Sequence, residues 1–248
     1  MAVTIVGNNT PTAGSVVYGD GTNYASTAVG TAGGVLYSAG SGAPAFNAVG
    51  TSGQVLTSAG ASAPTWATLS PSAMTFISSV TASNSATIDV ENAMTAFDTY
   101  VITITNLIPS TSGGVQFRTR LKLGGTYQTT ANYGGCTLLV SSGAVSTDSN
   151  DALTYLNVAR NNLFTATDSA GAGANAIVHI MNPASTVQNK PIFSQIVATG
   201  GTNPYTTGNQ MLAGTFNAAS STLTGVRFFF STGNISTGTF RLYGISNS

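Results

Sequence analysis

Charge is scarce in this chain of 248 residues: Asp, Glu, Lys and Arg together make up 6% of it, against roughly 25% in ordinary soluble proteins. Seven cations balance seven anions, so the formal net charge is zero. No basic footprint marks a nucleic-acid partner, and no basic patch would hold an anionic membrane surface. Ser, Thr, Asn, Gly and Ala must carry the surface, and the repulsion that keeps molecules apart is weak. Oligomerisation and a neutral β-rich monomer both satisfy that composition. Cys136 is the single cysteine, which rules out an intrachain disulfide. Between Gly135 and Thr137 it reads as an inert, partly buried thiol. The opening MAVTIVGNNT has neither the basic n-region nor the long apolar h-region of a signal peptide, and no run approaches the ~18 apolar residues of a membrane span. The chain is expected to be made in the cytoplasm, soluble there, with no membrane insertion.

Catalytic equipment is equally thin. His179 is the sole histidine, and it lies in the apolar stretch Ala176–Met181, where a structural or polar-face role fits better than the base of a Ser/His/acid triad. No Gly-x-Ser-x-Gly elbow stands in a suitable context. One cysteine and one histidine do not make a zinc site. Glycan cleavage needs two carboxylates about 5–10 Å apart. Asp89 and Glu91 are two apart and share one face of any strand, but they read as a solvated edge. Asp148-Ser149-Asn150-Asp151 lacks the remaining ligands and the turn glycine of a calcium loop and reads as a surface loop. No enzyme, metal or cofactor is expected.

What is present begins with a repeat. Val29–Ala48 (VGTAGGVLYSAGSGAPAFNA) and Val49–Thr68 (VGTSGQVLTSAGASAPTWAT) agree at eleven of twenty positions, and an imperfect earlier copy starts at Thr12. A fixed period of this length marks a stacked or threaded unit. Each copy has a short β-prone piece, a Ser-Ala-Gly turn, Ala-Pro and one aromatic. Two or three apolar side chains per copy cannot offset a backbone ordering cost of roughly 1–2 kcal/mol per residue. The segment should therefore be disordered alone or ordered by packing against other chains. Glycine does not recur every third residue, which excludes a collagen helix. Before the repeats, Val3, Ile5 and Val6 mark a short apolar strand candidate, which suits an anchor on another protein or simply the first strand.

From about residue 74 the pattern changes to strands. Thr99–Thr105 is rich in β-branched residues and is closed by Asn106 and Pro109. Val115–Leu123 alternates strictly, with Phe117, Thr119, Leu121 and Leu123 on one face and Gln116, Arg118, Arg120 and Lys122 on the other, as in a half-buried antiparallel strand. Gly124-Gly125 turns the chain. Further strands are predicted at 136–141, 153–159, 175–182, 192–199, 210–217, 223–231 and 238–245. Asp89–Asp98 is the one helical candidate, read as a turn or a single helical turn. The fold class is all-β, an antiparallel β-sandwich of jelly-roll type. The division is 1–30 for attachment, 31–70 for the repeats and 71–248 for the sandwich. Arg118 and Arg120, with Lys122, read as a solvated strand face, but because charge is so scarce they are also candidates to bind an anionic glycan or to pair with acids across an interface between chains. Further candidate ligand contacts are the amide- and aromatic-bearing loops with Asn161, Asn162, Asn203 and Tyr205. Pro204 stiffens the last of these, so Tyr205 would be presented at low entropic cost.

The closing Gly238-Thr239-Phe240-Arg241-Leu242-Tyr243-Gly244-Ile245 resembles the C-terminal strand of bacteriophage tail-fibre and related virion proteins. Phe97-Asp98-x-Tyr100, Asn106-Leu107-Ile108-Pro109, Gly124-Gly125-Thr126-Tyr127, Asn132-Tyr133 and Asn182-Pro183 fit the same group, so the likeness spans roughly residues 97–245. The repeats are similar to the spacers that precede such heads. The resemblance implies a homotrimer with a thin N-terminal stalk and a β-sandwich head, made in the host cytoplasm and carried on the virion. It implies an N-terminus docked on a tail or baseplate protein, and a head that contacts a host surface polysaccharide or outer-membrane component. A capsid decoration fibre or baseplate part without a receptor role has the same architecture.

Overall fold

A computed structural model of the chain describes residues 12–69, 73–111, 115–141, 144–160, 172–199, 207–217 and 221–246. These residues form strands and turns and no helix, in keeping with the all-β class. The chain divides into two compact units, Met1–Ser70 and Pro71–Ser248.

The first unit is three antiparallel hairpins in series: β1 (Val17–Gly19) with β2 (Tyr24–Ser26), β3 (Leu36–Tyr37) with β4 (Ala45–Phe46), and β5 (Gln54–Ala59) with β6 (Ser62–Thr68). The sequence period has a local cause. Each copy opens on one turn, in which the amide of Ser15, Gly34 or Gln54 donates to the carbonyl of Thr12, Thr31 or Thr51 at 2.9, 2.8 and 3.1 Å. Its third residue is Gly14, Gly33 or Gly53, at φ of 88°, 85° and 86°, a conformation that strains any side chain with a Cβ. The imperfect first copy thus keeps the turn of the two close ones. Within a copy the aromatic ring folds back onto glycine, Phe46 on Gly30 and Trp66 on Gly50, while Trp66 Nε1 donates to the carbonyl of Ala48, the last residue of the copy before it, at 2.7 Å. Successive copies touch through Val29 at Gly14 and Val49 at Gly33. These contacts do not make a core. Thr27 is the one buried side chain among the unit's described residues, while Val17, Tyr24, Val29, Leu36, Val49 and Leu69 are exposed.

The second unit is sandwich-like. An eight-stranded antiparallel sheet runs β13-β12-β17-β16-β15-β9-β19-β7. Its strands are β7 (Met74–Ser85), β9 (Thr99–Pro109), β12 (Tyr133–Ser141), β13 (Ala144–Leu153), β15 (Gly173–Met181), β16 (Lys190–Thr199), β17 (Thr207–Phe216) and β19 (Ile235–Ile245). A five-stranded sheet runs β11-β10-β18-β8, with β14 also on β10. It consists of β8 (Ile88–Glu91), β10 (Phe117–Leu123), β11 (Thr126–Tyr127), β14 (Leu156–Ala159) and β18 (Leu223–Phe230). One apolar core draws on both sheets. Phe117 and Phe228 of the smaller sheet lie 6.4 and 5.3 Å, centroid to centroid, from Phe240 of the larger. Gly124-Gly125 makes the β10–β11 hairpin turn with positive φ at both positions, 55° and 85°, the geometry that suits a two-residue connection.

A tyrosine ties the sheets together. The Tyr133 hydroxyl, fully buried on β12, accepts from the Leu121 amide of β10 at 2.9 Å and donates to the Gln128 carbonyl at 3.2 Å. Burial pushes its phenol up to about 12. Tyr133→Phe leaves the Leu121 amide buried without an acceptor. It is expected to cost about 1–3 kcal/mol, read as a shift of the urea midpoint at unchanged slope.

Four expectations need correction. Asp89–Asp98 is not a helical turn throughout: Ile88–Glu91 is strand β8, paired with β18, because Ile88 and Val90 alternate into the core. Strand β9 does not end at Asn106. Asn106 adopts φ of 55° inside it, accepts from Thr237 Oγ1 at 3.0 Å, and is held by the Asn175 side chain at 3.1 Å, so it makes a bulge and the strand continues. Asp148–Asp151 is not a loop but part of β13, zipped onto β12; its polar residues suit a sheet edge. Cys136 is exposed, because it lies among small neighbours, Gly134, Gly135 and Ala213, in the register of β12 and β17. His179 is half-buried on β15, with Phe193 alongside at 6.1 Å.

Candidate binding face

The five-stranded sheet gathers the chain's scarce charge on its outward face. Alternation along β10 sends Phe117, Thr119, Leu121 and Leu123 inward and leaves Arg118, Arg120 and Lys122 half-buried on the other side. Strand β18 follows the same rule, with Arg227 and Phe229 on the outward phase, and β8 adds Asp89 and Glu91. The antiparallel register sets the rows: Arg118 beside Phe229 and Asn157, Arg120 beside Arg227, and Lys122 beside Tyr127 and Gly225. Arg227 lies next to Asp89, and Gly225 next to Glu91. Four of the chain's seven cations stand here.

Two of the four are neutralised. The Arg227 guanidinium donates to both oxygens of Asp89, at 2.7 and 2.6 Å. Gly225 has no side chain, so Lys122 reaches across β18 to Glu91 at 2.5 Å; Tyr127 donates to the same oxygen at 3.1 Å. The Arg227 hydrogen bonds hold the Asp89 carboxyl below its ordinary value, and the Lys122 hydrogen bond does the same for Glu91. Burial and the two nearby carboxylates raise the Tyr127 phenol. Because Asp89 is depressed in the fold, its stabilisation is complete above the unfolded-state value near pH 4 and is lost as pH falls through the lower folded value. Asp89→Asn is therefore expected to cost about 1 kcal/mol at neutral pH and to flatten the acid limb of the stability profile below about pH 4. An unchanged acid limb would show that the pair does not stabilise the fold.

The other two cations are not matched by acids. The Arg118 Nε and one terminal nitrogen share the Gln116 Oε1, at 3.1 and 2.5 Å, and its guanidinium lies 4.0 Å over the Tyr155 ring. Arg120 Nε donates to the Thr154 carbonyl at 2.9 Å, and its guanidinium lies 4.8 Å over Phe229. Neither has a carboxylate partner among the described residues. Burial, with Arg120 next to it, pulls the Arg118 guanidinium below its ordinary value.

Of the residues singled out in the sequence, the structure places Arg118 and Arg120 together on this face. Val3, Ile5, Val6, Asn161, Asn162, Asn203 and Tyr205 lie outside the described residues. Sequence reasoning missed Tyr155, Phe229, Arg227 and Tyr127. Arg227 carried a signal, as the lone charge in an apolar strand. Its pairing with Asp89, from a distant strand, carried none. Among the described residues no group of three or more His, Cys, Asp or Glu could hold a metal ion. No family model, curated protein or solved structure matches the chain.

Proposed function

We propose that the chain is a non-enzymatic virion protein, a short trimeric fibre with a thin stalk whose head adsorbs to the host surface, where a polysaccharide or outer-membrane component receives it. The observation that carries this reading is the sequence of a coreless array of tandem hairpins and a compact sandwich-like head. The array exposes Val29, Val49 and Leu69 at the repeat period, and copies of the chain laid side by side would cover them. The segments that resemble phage fibre heads also support it. Phe97, from the first of them, packs its ring on Gly244 of the last, so residues far apart in the chain form one structural unit. Among the described residues, the adjacent carboxylates Asp89 and Glu91 are each held by a cation, which favours binding over cleavage. The N-terminus is assigned to docking on the tail or baseplate.

Light scattering of the full-length protein is expected to give three times the 24.9 kDa chain mass; a monomer at micromolar concentration would sink the fibre reading. Labelled protein should bind host cells saturably and block adsorption of the particle. A trimer that does neither is a structural appendage of the capsid or baseplate.

A further inference from the structure

The uncompensated pair Arg118 and Arg120 is the feature that the fold itself does not explain. Two arginines at i and i+2 share one strand face, with Cα atoms roughly 7 Å apart, and Arg227 faces Arg120 directly across the ladder. Like charges so placed are unfavourable. Asp89 relieves Arg227, and nothing among the described residues relieves the pair on β10. In a chain with a net charge of zero, this is a local concentration of cation rather than a broad field.

We propose that Arg118 and Arg120 bind the oxyanion groups of an acidic polysaccharide, one fork to each anionic substituent along the polymer. A guanidinium offers five N–H donors in a rigid plane. Gln116 occupies one side of Arg118 and Thr154 one donor of Arg120, and the remaining donors have no partner among the described residues. The rings of Tyr155 and Phe229 beneath them and the hydrogen bonds to Gln116 and Thr154 restrain both guanidiniums, so little rotamer freedom is lost on binding. Each fork matches a carboxylate or a phosphate in a two-point contact. Gln116 and the Ser231 hydroxyl, which accepts from the Gln116 amide at 3.1 Å, border the pair with groups suited to sugar hydroxyls. A double-stranded nucleic acid fits less well, since its affinity needs many phosphate contacts at once. The choice of a polysaccharide rests on the adsorption reading above, and the trimer would supply three such sites whose linkage raises avidity.

The test is binding of the full-length protein to immobilised polygalacturonate, to its fully methyl-esterified form and to poly(glycerol phosphate), at low and at physiological salt. The unaltered protein is expected to bind an acidic polymer at least tenfold better than the ester, and less well as salt rises. Preference between the two acidic polymers tells carboxylate from phosphate. Arg118→Gln with Arg120→Gln should lose tenfold or more, with thermal midpoint and oligomeric mass retained. Arg118→Lys with Arg120→Lys keeps the charge and loses the fork, and should fall between. Equal binding to all three polymers, or an undiminished Gln variant, overturns the proposal. So does a Gln variant that drops to a monomer, because the face is then a contact between chains. If the Gln variant does not fold, the Lys variant decides: binding equal to that of the unaltered protein overturns the fork. Cell adsorption separates the two readings. Polymer binding lost in the Gln variant, with no adsorption by either protein, keeps the site and removes the adsorption reading. Adsorption by both proteins, with no polymer binding, does the reverse.

Discussion

Phe117→Ala is expected to destabilise the second unit by about 3–5 kcal/mol and to lower its thermal midpoint by roughly 10 °C. Phe117 is fully buried on β10. Its ring stacks on Phe228 at 5.6 Å with an interplanar angle of 12°, and meets Phe230 at 5.2 Å and Phe240 at 6.4 Å. Three of these rings belong to the five-stranded sheet and Phe240 to the eight-stranded one, so the cluster holds the layers together. Removing the ring leaves a void that β-sheet backbones, pinned by their ladders, cannot close. Phe117→Leu keeps most of the volume and should cost under about 1.5 kcal/mol. Chemical denaturation of both variants checks this. A loss below 1 kcal/mol for the alanine variant would show that the sheets are not joined through this cluster.

Gly244→Ala should cost about 1–3 kcal/mol through overpacking, although alanine is a small change on paper. A methyl group at Gly244 would overlap atoms of the Phe97 ring, including the one nearest its own backbone. The ring cannot swing clear easily. It meets Tyr100 edge-on at 5.5 Å, and Tyr100 is itself fixed, accepting from the Ala96 amide at 3.2 Å and lying beside Gly244 in the β9–β19 ladder. A double-mutant cycle is the decisive measurement. In a Phe97→Ala background the methyl group has room, and the cost of Gly244→Ala should shrink to a few tenths of a kcal/mol, the scale of additivity between uncoupled sites. A cost that persists there would place the strain in the backbone of β19.

The strands of the second unit were legible because alternation reports which face is buried, whatever the partner strand. Val115–Leu123 shows it best: the burial of Phe117 and Leu121 and the outward set of Arg118, Arg120 and Lys122 follow from a period of two. The errors fell where local chemistry and packing disagree. Asp89 and Glu91 flank Val90 and look like a polar turn, yet Ile88 and Val90 draw that segment into a strand. Asn106 looks like a terminator, yet contacts from Asn175 and Thr237 stabilise it as a bulge. Asp148–Asp151 looks like a loop because an edge strand carries few apolar residues.

By itself, the sequence determined the all-β class, the Ser-Ala-Gly turns that end at Gly40 and Gly60 with positive φ, and the outward direction of the β10 cations, since each depends on neighbours a few residues away. The tertiary structure alone decided which charges are matched. Asp89 meets Arg227, and Glu91 meets Lys122 over the bare backbone of Gly225, only because β8, β18 and β10 lie side by side in that order. Arg120 is left on Phe229 for the same reason, and Arg118 on Tyr155 because β14 also pairs with β10. Strand order is settled by burial of a shared core, and the pairing of polar groups on the opposite face follows from it.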